Sequence, residues 1–157
     1  MTTTSLATTS LEGAALYVVF KLASAEYAIP SSLVLQMEAF TGATPVPGTV
    51  AYIAGVMPIR GKVVPVVDLR VRFGLPAVPP TLESRVVVGQ LGDRTVALLT
   101  DTAREVMRIA PGDVKPPPPM IDEGSAGFVS AIAHVGGRLL LLLDFAKIIG
   151  EEPVNVS

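Results

Sequence analysis

The residues of this chain best equipped for chemistry are its single histidine, His134, and three aspartates that follow apolar runs, Asp68, Asp101 and Asp144. If an imidazole and one or more of these carboxylates converged in a concave pocket, they would make a small hydrolase working by general acid–base catalysis. The surroundings of His134 argue for less. It lies inside 128-FVSAIAHV-135 with no second titratable group near it in sequence, which suits a hairpin end or a surface position better than a general base. There is no G-x-S-x-G elbow, no G-x-x-x-x-G-K-[ST] phosphate loop and no G-x-G-x-x-G after a strand. The stretch 121-IDEGSAGF-128 is acidic and glycine-rich but lacks the alternating oxygen ligands of a calcium loop. Asp101, Asp113, Asp122 and Glu123 are too scattered in sequence to form a metal site, and with no cysteine there is no thiolate nucleophile, disulfide or Cys-based zinc site. No catalytic residue, metal or cofactor is assigned.

Two of the aspartates have a local explanation. The segment 61-GKVVPVVDLRVRFG-74 matches 137-GRLLLLLDFAKIIG-150 without a gap: glycine, a basic residue, a run apolar but for one proline, aspartate, five further positions, glycine. An aspartate at the end of a strand accepts hydrogen bonds from the first free N–H groups of a helix, and glycine permits the left-handed residue that closes it. Asp68 and Asp144 are therefore expected to cap short helical segments ending at Gly74 and Gly150. Arg70, Arg72 and Lys147 fall where such helices present their negative ends. Capping predicts that these carboxylates are dispersed, whereas the hydrolase reading predicts that they converge.

The elements that must position these residues are short. Runs rich in Val, Ile, Leu and Tyr alternate with Gly, Pro and Asp turn signals, the pattern of small barrels or sandwiches. Strands are expected at 16–22, 26–29, 33–40, 55–60, 62–67, 85–91, 94–99, 104–109, 128–135 and 138–143, with hairpin turns at 23-ASA-25, 92-GD-93 and 136-GG-137. Pro65 implies an edge position or a bulge. A weaker echo links 22-LASAEYAI-29 to 91-LGDRTVAL-98, so each half carries a hairpin followed by a strand that ends in a helical turn. Two related half-barrels are expected to share a core, with 75-LPAVPPTLES-84 connecting them. Residues 1–14 read as a Thr/Ser-rich flexible tail without signal-peptide character, and 151–157 as a C-terminal tail. The run 115-KPPPPM-120 reads as a stiff connection or as a polyproline ligand. Mean hydropathy is +0.55, yet the longest apolar block, 139-LLLLL-143, is far too short for a membrane span. A net charge of −2 without a Lys/Arg cluster argues against nucleic acid.

With chemistry in short supply, a small β-rich body works by presenting surfaces. From about residue 15 to residue 150 the chain resembles the CheW-like coupling proteins of bacterial chemotaxis. The likeness rests on 17-YVVFKLASAEYAIP-30, 34-VLQM-37, 45-PVPGTVAYIAGVM-57, 59-IRGKVVPVVDLR-70, 101-DTAREV-106 and 138-RLLLLLDFAKIIG-150, in the family's order and spacing. The R-G-x-x-x-P-x-x-D-L-R core is the most diagnostic part. The resemblance implies an all-β fold of two five-stranded, SH3-like barrels on a common hydrophobic core, with short helical turns and a short C-terminal helix. It also implies a non-catalytic adaptor, cytoplasmic at membrane-associated receptor arrays and binding neither nucleic acid nor the bilayer itself. Its partners would be the regulatory domain of a CheA-type histidine kinase and the cytoplasmic tips of methyl-accepting chemoreceptors. An alternative within binding proteins is a competitor that occupies only one of those partners.

Carried over by position, Arg60 is the exposed arginine that organises the partner surface, and Gly61 allows close backbone approach. Val34, Ala103 and Val106 would line the groove that takes a receptor helix. Two departures stand out. Gln36 replaces the family's glutamate, so any pair with Arg60 is a neutral hydrogen bond at most, and Pro58 replaces a common asparagine. Glu38, two residues beyond Gln36, is a candidate to supply the missing charge to Arg60.

Overall fold

The computed structural model describes residues 13–119 and 127–150. The terminal tails, Asp122, Glu123 and most of 121–128 lie outside the described residues. The strands are β1 (Ala15–Leu22), β2 (Ala25–Pro30), β3 (Val34–Ala39), β4 (Ile53–Ile59), β5 (Lys62–Asp68), β6 (Arg85–Leu91), β7 (Arg94–Thr100), β8 (Thr102–Ile109), β9 (Val114–Lys115), β10 (Val129–Val135) and β11 (Arg138–Leu143). Two short helices, α1 (Leu69–Arg72) and α2 (Phe145–Ile149), follow β5 and β11. Every strand expected from the sequence is present, and β9 is an addition. Among the described residues no helix is long and apolar enough to cross a membrane.

The strands form a five-stranded sheet in the order β3-β6-β7-β5-β4, here the first barrel, and a six-stranded sheet in the order β8-β1-β2-β11-β10-β9, the second. The repeat is real, but the halves do not each build one sheet. β5 runs parallel to β7 (Val67 opposite Leu98), and β11 runs parallel to β2 (Leu141 opposite Tyr27). Each half therefore lends its opening hairpin to the other half's sheet. The segment 75–84 does not connect barrel to barrel, as expected, but joins α1 to β6 within the first. The crossings between sheets fall at β2–β3 and β7–β8. The cause is the parallel pairing: β5 and β11 each need a neighbour that is not their own hairpin partner, and the opposite half's hairpin supplies it.

This exchange explains the long apolar runs. Val19, Ala28, Leu140 and Leu142 belong to the interior of the second barrel, and Val64, Val66, Val86, Val88 and Ala97 to that of the first. The residues alternating with them, among them Val18, Phe20, Tyr27, Ile29, Val67, Val87, Val96 and Leu98, meet in a third cluster between the sheets. Strands buried on both faces read as continuous apolar runs. Three rings extend along the shared cluster, Tyr27 lying 6.0 Å from Phe20 and 5.5 Å from Phe73.

The carboxylates are dispersed as capping requires. Asp68 accepts from the backbone N–H groups of Arg70 (3.0 Å) and Val71 (3.4 Å), and Asp144 from that of Lys147 (3.2 Å). Gly74 and Gly150 follow with φ of 75° and 76°. The arginines differ from expectation. Arg72 donates to the carbonyls of Ile148 and Lys147 at the end of α2, not to its own helix, and stacks over Tyr52 and Phe128. Arg94 reaches the carbonyls of Gly150 (2.5 Å) and Ile149 (3.1 Å). Two cations from elsewhere in the fold thus satisfy the last carbonyls of α2. Pro65 is on neither an edge strand nor a bulge. It sits opposite Val56 of β4, and the parallel pairing with β7 begins one residue later, so no β7 ladder bond is lost. Closure of the first barrel depends on Thr44 and Val56, which exchange backbone bonds of 2.8 and 2.9 Å. Gly55 (φ 146°) permits it: a Cβ there would lie 2.6 Å from the Thr44 carbonyl carbon.

Candidate interaction surfaces

Asp101 is the carboxylate with the most specific geometry, and its task is structural. Its oxygens take Arg70 Nε at 2.8 Å and Nη2 at 2.6 Å, and one of them also accepts the Ala23 N–H at 2.8 Å. One side chain thus fastens the β1–β2 turn and α1 to the β7–β8 corner. The bond to Arg70 holds the Asp101 carboxyl below the usual carboxylate range, with burial opposing and the Ala23 N–H assisting. A lowered folded-state pKa contributes stability above the ordinary carboxylate range that is lost as pH falls through the folded value. Asp101→Asn is expected to cost about 1 kcal/mol at neutral pH, a charged-bond value discounted for partial exposure. Urea titrations should show that difference vanish between the ordinary carboxylate range and the more acidic folded value; a pH-independent difference would refute the assignment.

His134 is exposed on β10 opposite Leu139. Asp68 and Asp101 do border one depression, but its volume is only 20 Å³ and Arg70 lies in it. That is far below the roughly 300–1,000 Å³ of sites that hold a small-molecule substrate. Asp144 and His134 are not part of it, and among the described residues no group of three or more His, Asp or Glu could hold a metal ion. The hydrolase geometry does not form.

The residues expected at partner contacts fall into two places. One is the seam between the barrels, where β8 lies against β6 and the turn Ser31–Leu33 lies against β1. Ala103 stands opposite Phe20 and Val106 opposite Val18, with an extra residue, Arg104, bulged between them. A spacing of three would put two strand residues on opposite faces; the bulge brings both to the side of the shared core. β3 does the same with Val34 opposite Gly89, Met37 opposite Val87 and a bulge at Leu35. Val34 and Ala103 pack against the shared cluster, while Val106 is 51% exposed and Met37 37%. Met37 was missed in the sequence. The offset that relates Leu22 to Leu91 in the repeat also relates Val34 to Ala103 and Met37 to Val106, and it is the signal that finds this residue.

The other place is the β4–β5 hairpin. Arg60 (φ 51°) and Gly61 (φ 80°) form its two-residue turn, both left-handed as a type I′ turn demands. Arg60 is exposed and, with Gln36, Lys62 and Thr95, borders a 220 Å³ depression in the first barrel. Gln36 and Arg60 share it without a hydrogen bond between them. Glu38 does not take up the missing charge. Among the described residues it forms no ion pair, because it lies opposite Val86, two residues farther along β3 than Gln36 opposite Val88. Two residues of strand are about 6.6 Å.

Two interlocked barrels with an apolar seam and a basic hairpin depression define the class: a protein–protein contact module. The chain belongs to the CheW-like domain family, which matches residues 16–152. It is 28% identical over 135 residues to the chemotaxis protein CheW of Rhizobium meliloti, covering 86% of this chain and 87% of that protein. It is 31% identical over 135 residues to the chemotaxis protein CheW of Bacillus subtilis, covering 86% of each. Protein FrzA of Myxococcus xanthus is 31% identical over 134 residues, covering 83% of this chain and 82% of FrzA. Among solved structures, the scaffolding protein TtCheW of Thermoanaerobacter tengcongensis superposes with a TM-score of 0.78 at 28% identity, covering 87% of this chain and 92% of that one.

Proposed function

We propose that this chain is a non-catalytic chemotaxis adaptor that couples chemoreceptors to a CheA-type histidine kinase, with residues 15–150 as its working domain. Membership of the CheW-like family over nearly the whole chain carries this reading. On this reading the protein works in the cytoplasm, at arrays of receptors. The seam suits the apolar face of a receptor hairpin tip, since the bulges at Leu35 and Arg104 align apolar residues from both barrels on one side. The exposed hairpin with Arg60 and Gly61 suits the kinase's regulatory domain, which in this family is itself built from such barrels.

The test is reconstitution of receptor, kinase and this chain, with stimulation of kinase autophosphorylation as the expected result. Occupation of kinase or receptor without stimulation would make the chain a competitor. Val106→Glu places a charge in the seam and is expected to weaken receptor-tip binding by more than about 2 kcal/mol, roughly thirtyfold, if Val106 is a central contact. Arg60→Asp is expected to weaken kinase binding. Pull-downs unchanged by both substitutions would show that these are not the contact surfaces.

A further inference from the structure

We propose that the depression beside the β4–β5 hairpin binds a carboxylate: an Asp or Glu side chain of the kinase's regulatory domain seats between Lys62 and Arg60. This rests on the adaptor reading and adds the chemistry of the partner's contact. The second barrel supplies the internal comparison. At its corresponding end, Arg138 bonds Glu26 (3.1 and 2.5 Å) and Glu105. That bond holds the Glu26 carboxyl below its usual range. The repeat maps these three residues one by one onto the first barrel. Arg138 corresponds to Lys62 in the gapless match, Glu26 to Thr95 in the hairpin echo, and Glu105 to Gln36, the residue that follows the bulge in β3 as Glu105 does in β8.

The cation is therefore kept and both of its carboxylates are replaced by uncharged side chains. The turn adds a second cation, Arg60, where the second barrel has Gly136. Among the described residues, neither Lys62 nor Arg60 forms an ion pair. Arg60 also holds a left-handed conformation that glycine or asparagine would adopt with less strain, so the turn by itself gives no reason for arginine. The occupant is a protein side chain and not a free anion, because Leu35, Ile59 and Val88 make much of the wall apolar. A protein surface brings apolar contact together with its acid. At 220 Å³ the depression is also below the roughly 300–1,000 Å³ of small-molecule sites.

The test is calorimetric titration of the cognate kinase's regulatory domain into the full chain at about 0.05 M and about 0.5 M salt. Wild type should weaken as salt rises. Gln36→Glu restores the second barrel's carboxylate within the chain itself. It is expected to bind about tenfold more weakly, with a flatter salt dependence and no loss of melting temperature. Gln36→Leu, which changes shape without adding charge, should keep the wild-type salt slope. The assignment fails if Gln36→Glu matches wild type at both salts, or if Gln36→Leu weakens binding as much as Gln36→Glu. It fails too if wild type alone self-associates in a salt-sensitive way that Gln36→Glu abolishes, which would make a second copy the occupant. No binding by wild type at either salt overturns the adaptor reading and this assignment together.

Discussion

Residues 1–77 and 78–157, produced as separate chains, are each expected to lack stable tertiary structure, although the repeat makes each look like a half-barrel. The first piece retains the hairpins β1–β2 and β4–β5, but β3 loses its only ladder partner, β6, and β5 loses β7. The second retains β6–β7 and the β9–β10–β11 ladder, but β8 loses β1 and β11 loses β2. No ladder in the first piece exceeds two strands, and isolated hairpins are marginal in water. The shared cluster is also divided, with Phe20, Tyr27 and Phe73 on one piece and Val87, Leu98 and Phe145 on the other. Circular dichroism and hydrogen exchange on each piece should show an unfolded chain. Mixing should recover strand signal, because the cut falls in the exposed 76–83 loop and breaks no strand. Cooperative unfolding by either piece alone would contradict the exchanged topology.

Phe145→Ala is expected to remove about 3–5 kcal/mol of stability, the usual cost of emptying a buried phenylalanine site. That is a large part of the roughly 5–15 kcal/mol that holds a domain together. Phe145 opens α2 and is 2% exposed in the shared cluster. Its ring lies on bare backbone: a Cβ at Gly89 of β6 would come within 2.6 Å of it. The helix that ends one sheet is thus packed on a strand of the other, so the cavity opens where the barrels join. Urea melts should show a lower midpoint with little change in slope, and probes in the two barrels should move together. A loss below about 1 kcal/mol would mean that the site collapses around the smaller side chain.

The secondary structure was legible because its signals are local. Both-face burial makes 138-RLLLLL-143 and 85-RVVV-88 read as strands wherever they pair. Asp68 and Asp144 announce caps through bonds to groups two or three residues away. The family was legible for a related reason, since its motifs are the turn and cap residues that hold these strands in order. Pro65 misled because a proline costs a ladder bond only where a neighbour is present, and the β7 neighbour begins one residue later.

The proposed contact surfaces were legible only in part. Arg60 stands out in sequence, but its lack of a partner does not, since that depends on Gln36 and Thr95 reaching the same depression from β3 and β7. Val34, Ala103 and Val106 could be carried over from the family, yet spacing alone sends Ala103 and Val106 to opposite faces. The bulge at Arg104, where the pairing of β8 with β1 shifts register, corrects that.

By itself, then, the sequence determined the strands, the caps, the internal repeat and the family. Tertiary structure alone decided which hairpin joins which sheet, which side of β3 and β8 faces the seam, and that the cations of the first barrel lack the carboxylates present in the second. Alternation and capping are set by residues within one turn or one strand of each other. Pairing and charge balance are set by residues far apart in the chain, brought together only when the two halves exchange hairpins.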